Sequence, residues 1–84
     1  MTDEQRRIIL HALGLDQAKI GYRNRYIGNE TTVLESIREQ GWMVREPFGS
    51  QLVRWKYIVT KRGLAAAGLS PKKLDHEERE EMPD

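Results

Sequence analysis

Apolar residues recur at helical spacing near the start of the chain. Gln5, Ile8, Ile9, Ala12 and Leu13 share one face, which predicts a helix over about residues 3–13. Thr2 and Gln5 have capping-box spacing, Asp3 and Glu4 fall where the helix dipole favours negative charge, and Gly14 suits the left-handed stop. Residues 15–30 hold no period. Gly21 and Gly28 punctuate them, and the stretch reads as an irregular loop with a turn of helix near Asp16–Lys19. A loop of that length in a small domain is either functional or packed down by its own side chains.

The pattern then returns. Thr31 or Thr32 caps a second helix whose buried stripe is Val33, Leu34 and Ile37, with Glu35, Arg38 and Glu39 facing water and Gly41 ending it. After Gly41 the period falls from 3.6 to 2. Trp42 to Glu46 reads as a strand ended by Pro47, residues 48–51 as a turn, and Leu52 to Thr60 as the returning strand. Val53, Trp55, Tyr57 and Val59 point to one side, and Arg54 and Lys56 to the other. A lone hairpin is marginal in water, so this one must pack on the helices. Trp42 and Trp55 fit a cross-strand pair within the core. Thr60 caps a third helix over about 61–67, closed by Gly68, and Ser70-Pro71 can open a fourth. Beyond it only Leu74 and Met82 offer anchors, so residues 71–84 read as a charged tail, partly helical or disordered, on a body spanning 1–70.

Composition sharpens this. Eighty-four residues with 38% hydrophobic content permit one small core and one domain. The absence of cysteine excludes disulfides, thiolate metal sites and a cysteine nucleophile. The charged Met-Thr-Asp-Glu start does not resemble a signal peptide, and no stretch approaches a membrane span. The net charge of +1 conceals an asymmetry: residues 1–74 carry +6 and residues 75–84 carry −5. A basic body with an acidic end suits an anionic partner that the tail competes with, or a plain solubilising tail.

Catalytic chemistry finds no motif. His11 lies off the apolar stripe, His76 sits among acids, and phosphate loop, nucleophile elbow and zinc spacing are missing from the sequence. The expectation is a non-enzymatic protein with no cofactor, no metal and no small-molecule substrate. Binding chemistry is denser. Tyr22, Arg23, Asn24, Arg25 and Tyr26 combine arginine forks that grip phosphate or carboxylate with rings that stack on bases or fill interface pockets. The same residues also fit a structural loop in which tyrosines reach the core and arginines pair with Glu30, Glu35 or Asp16. Arg45, Arg54 and Lys56, with Gln51 at the hairpin tip, fit one exposed basic face or a charged edge that resists aggregation. Arg38 is the lone base among the exposed acids of the second helix.

The segment VLESIREQGWMVREP resembles the end of a recognition helix running into the first wing strand of a winged-helix domain. YIVTKRGLAAAG resembles the second wing strand and the helix after it, with Thr60 and Gly63 in the places of an LTxxG pattern. The likeness spans roughly 36 of the 84 residues and implies an α+β, winged-helix-like fold: about three helices, a two-stranded antiparallel hairpin as the wing, and a flexible acidic tail. QRRIILHALGLD and YRNRY, followed by the same helix and hairpin, also resemble small phage and prophage proteins. That resemblance implies a mobile-element origin and the cytoplasm of a bacterial host, and it carries no mechanism. Two functions stay open: a DNA-binding regulator acting on nucleic acid or a nucleoprotein complex, and an inhibitor of a host defence complex in the manner of anti-CRISPR proteins. Either acts as monomer or homodimer.

Overall fold

Thr2 closes the predicted capping box: its hydroxyl accepts from the Gln5 N–H at 3.1 Å, and the Gln5 side chain accepts from the Thr2 N–H at 2.8 Å. Helix α1 follows over Asp3–Leu13. The computed structural model describes residues 1–50 and 54–84. The chain continues as β1 (Tyr26–Gly28), α2 (Thr32–Glu39), β2 (Met43–Pro47), β3 (Trp55–Val59), α3 (Lys61–Ala66), a 3₁₀ turn at Pro71–Lys73 and α4 (His76–Glu81). This is an α+β arrangement with four α-helices and one antiparallel three-stranded sheet among the described residues, in the order β1-β3-β2. No described helix is long and apolar enough to cross a membrane.

Ile9, Ala12 and Leu13 of α1, Leu34 and Ile37 of α2, Met43 of β2, Tyr57 and Val59 of β3 and Leu64 of α3 meet in one core. Gln5, on the apolar face of α1, donates to Ser36 Oγ of α2 at 3.0 Å and clasps the two helices. Thr31 is the cap of α2 and accepts from the Leu34 N–H. Thr60 caps α3, and its hydroxyl also donates to the Gly41 carbonyl at 2.7 Å, tying α3 to the turn after α2. Trp42 and Trp55 are half-buried against the core and do not pair with each other: β2 begins after Trp42, and Trp55 faces Pro47.

Three expectations are corrected. First, the hairpin gains a third strand. Tyr26-Ile27-Gly28 comes from the stretch read as a loop, and it pairs with β3 in the register Tyr26↔Tyr57. Asn24 carries the pairing one step further with its side chain, donating to the Val59 carbonyl at 2.9 Å and accepting from the Val59 N–H at 2.8 Å. The rest of the loop is fixed by backbone bonds from Tyr22 to Leu13 and from Arg25 to Ala12.

Second, the acidic end is docked. Gly21 and Leu74 form a parallel bridge, the Lys61 N–H donates to the Pro83 carbonyl, and Leu74 and Met82 are buried in the core. Two anchors suffice because backbone bonds on either side hold them in place. Third, Arg45 does not share a face with Lys56. It lies opposite Tyr57, and directly paired residues of an antiparallel ladder point the same way, so Arg45 turns to the helix side. The returning strand begins at Trp55. The Leu52 and Val53 positions assigned to it, and the Gln51 tip, lie outside the described residues.

Candidate binding groove

Gly14 ends α1 with φ 79°, and the Tyr22 ring lies against its bare backbone; a Cβ there would sit 2.4 Å from Tyr22 Cε1. This contact holds Tyr22 at the surface, 46% exposed. Arg23 turns back to the end of α1, where Nη2 and Nε donate to the His11 carbonyl at 2.7 and 3.2 Å. Its guanidinium stands 5.3 Å from the Tyr22 ring centroid. That carbonyl is neutral and lies at the negative end of the helix dipole, so Arg23 is fixed without losing its charge. Asn24 is committed to Val59. Arg25 stands in the open and enters no ion pair among the described residues.

These residues and Lys56, from the outer face of β3, line an open groove of about 420 Å³ whose other wall is Glu78 and Glu81 of α4. Lys56 Nζ also lies 3.4 Å from Glu46, its partner across the hairpin. The Glu78 carboxyl is pushed above its usual range by burial, and the nearby charges of Asp75, Glu81 and Glu77 push it further. Tyr26 lines an adjoining depression with His11, Arg23, Arg25 and Ile27; its ring meets His11 edge-on at 5.7 Å. The arginines thus face two connected hollows, with one tyrosine in each.

The other candidates lie elsewhere. Arg38 grips Glu35 through Nε and Nη2 on α2. Arg45 Nη1 donates to Glu30 and Glu35, both at 3.0 Å, and its guanidinium stacks 3.8 Å from the Trp55 ring centroid. Glu35 also accepts from the fully buried Tyr57 hydroxyl at 3.0 Å. The Arg38 hydrogen bond holds the Glu35 carboxyl below its usual range, with Tyr57 and Arg45 adding to the effect. Burial raises the Tyr57 phenol. Both arginines are therefore spent on internal charge, and the surface beside them, lined by Glu30, Glu35 and Glu39, is acidic. Arg54 is exposed just before β3 and is not part of the groove.

So Tyr22, Arg23, Arg25 and Lys56 converge, Tyr26 adjoins them, and Arg38, Arg45 and Arg54 do not. Glu78 and Glu81 carry no individual signal in the sequence beyond the charge asymmetry of the chain. His11 Nδ1 donates to the Asp16 carboxylate at 2.7 Å, a structural contact that lowers the Asp16 carboxyl. No group of metal-ligating side chains occurs among the described residues. No family model matches the chain, and neither the curated proteins nor the solved structures yield a significant match.

Proposed function

We propose that this protein is a non-enzymatic accessory module that binds the phosphate backbone of nucleic acid in the groove of Tyr22, Arg23, Arg25 and Lys56, and acts as a small regulator of phage type. One observation carries the reading: three cations, two from the loop before β1 and one from β3, line one groove with an exposed tyrosine, and Arg25 closes no ion pair with the carboxylates of the opposite wall. Guanidinium and ammonium groups grip phosphate, and the Tyr22 ring offers a base a stacking surface. A winged-helix-like frame fits the order β1-β3-β2, with β1 between the first two helices and the hairpin after α2. A single helix separates β1 from β2 and it is flanked by Glu30, Glu35 and Glu39. Recognition through an arginine-rich helix in the major groove is therefore not part of the proposal, and the contact is to backbone and unpaired bases.

Fluorescence anisotropy with labelled single- and double-stranded DNA tests it. Three phosphate contacts predict that affinity falls roughly 40-fold on duplex and roughly 20-fold on single-stranded DNA between 50 and 200 mM salt. Arg25→Glu with Lys56→Glu should abolish measurable binding, while Arg54→Ala stays near wild type. Binding that ignores salt, or that survives the double reversal, would sink the reading. The acidic depression beside α2 supports a second reading, an inhibitor that docks on a basic protein face. A partner lost with Glu30→Lys and Glu39→Lys, and retained with Arg25→Glu, would favour it.

Glu78 and Glu81 act in this scheme as an internal competitor for the groove cations. Glu78→Gln with Glu81→Gln should strengthen DNA binding several-fold. The same change has a sign in stability. An acid whose folded pKa is raised loses stabilisation as pH climbs through its ordinary value towards the raised one, so Glu78→Gln should raise Tm at pH 7 and leave it unchanged near pH 3. Thermal melts at the two pH values check this.

A further inference from the structure

Helix α4 has two different flanks. Glu78 and Glu81 face the groove, whereas Arg79 and Met82 face a separate cleft of about 180 Å³. Its floor and sides are Leu64, Ala65, Leu69, Pro71, Leu74 and Met82, all apolar, and the polar members of its lining are Lys61 and Arg79. No carboxylate lines it among the described residues. From these features we infer that the cleft is a binding site for a small monocarboxylate with one apolar ring or short branched chain, of the benzoate class.

Size and charge carry this assignment. An apolar cavity of about 150 Å³ accepts a single benzene ring, so this cleft of about 180 Å³ has the size for one six-membered ring. The charge of the mouth then chooses among such molecules. Arg79 donates from Nη2 to the Leu74 carbonyl at 3.1 Å, which fixes the guanidinium while leaving other donors of its planar fork unassigned. Arg79 forms no ion pair among the described residues. Lys61 Nζ already holds a carboxylate, that of Asp84 at 3.1 Å, on a side chain that is 96% exposed. An exposed pair of this kind exchanges readily for another carboxylate. A ring on Leu64, Leu69 and Leu74 with its carboxylate between Lys61 and Arg79 would satisfy both chemistries at once.

The site is independent of the nucleic-acid reading, since no residue of the groove lines it. Titration of the full chain, labelled at its Leu and Met methyls, with sodium benzoate and separately with benzyl alcohol tests it. Benzoate should saturate with a millimolar Kd, the range a ligand this small reaches, and shift the methyls of Leu64, Leu69, Leu74 and Met82. Benzyl alcohol should bind up to about tenfold more weakly, because it cannot form the charge-assisted hydrogen bonds that a carboxylate makes to Lys61 and Arg79. Arg79→Gln with Lys61→Gln should erase that preference while benzyl alcohol binding persists, which also shows that the variant is folded. Ala65→Phe, at the exposed edge of the cleft, should block both ligands. Equal affinity for the two ligands, no saturation by about 50 mM benzoate, or shifts centred on Arg23, Arg25 and Lys56 would each overturn the assignment.

Discussion

Gly63→Ala is expected to remove about 3–4 kcal/mol of folding stability, close to the whole margin at the low end for a domain of this length. The reason is contact, not conformation. Gly63 sits inside α3, where alanine is intrinsically the better helix former by about 1 kcal/mol. Yet a Cβ at this position would lie 2.1 Å from the Trp42 carbonyl oxygen and 2.9 Å from its carbon. Both atoms are backbone and cannot rotate away. The Trp42 carbonyl is also fixed, because it accepts the Thr60 N–H at 3.0 Å. Helix α3 would have to lift off the chain between α2 and β2. That motion strains the Thr60–Gly41 tie and draws Leu64 out of the core. Denaturant unfolding followed by the fluorescence of Trp42 and Trp55 measures the loss. Ala66→Gly on the exposed side of the same helix is the control, with an expected cost of about 1 kcal/mol. A loss at Gly63 no larger than the control would show that α3 is seated loosely.

The same glycine illustrates what the sequence makes legible. Gly63 follows a Thr60 cap by three residues, so the start of α3 is a local signal, as are the Thr2–Gln5 box and the stripe of α2. Such features need only neighbours along the chain. Strand β1 needs β3, and three residues are too few to show an alternation. What makes the segment a strand is the pairing of Tyr26 with Tyr57 and the amide of Asn24 on Val59, thirty residues and more away. The C-terminal segment failed to read as packed for a similar reason: its anchors, Leu74 and Met82, were visible, but the Gly21 and Lys61 backbone bonds that seat them carry no side-chain pattern.

The candidate site divides along the same line. Tyr22, Arg23 and Arg25 are adjacent in sequence, so their clustering was legible, and only the fold could add Lys56 and oppose them with Glu78 and Glu81. Arg45 is the instructive miss. Parity within β2 already links it to Met43, two residues earlier, and Met43 is apolar and buried. An apolar Met43 turned inward requires Arg45 to turn inward too, and an inward arginine needs a carboxylate. Glu35 supplies it.

Glu35 is therefore expected to be the polar residue whose loss the fold tolerates least. Glu35→Ala should cost about 2 kcal/mol at pH 7, because the Tyr57 hydroxyl, at a residue with no solvent exposure, loses its acceptor. The side chains of Glu35 and Arg45 are only 16% and 19% exposed, so water does not freely replace what is lost. The pH dependence follows from the direction of the Glu35 shift. Its folded pKa is lowered, chiefly by Arg38. Its contribution is therefore complete above the ordinary carboxylate value of about 4.3 and disappears as pH falls through the lower folded value. Wild type and Glu35→Ala should converge in stability as the pH is lowered through that window. A second variant separates the orphaned hydroxyl from the general loss of charge. In a Tyr57→Phe background, Glu35→Ala should cost about 1 kcal/mol less, since no buried hydroxyl remains to be deprived. Denaturant titrations of the four proteins at pH 7 and at low pH give all these numbers. An equal cost of Glu35→Ala in both backgrounds would mean that the Tyr57 hydroxyl finds another partner and that the network is held by its arginines alone.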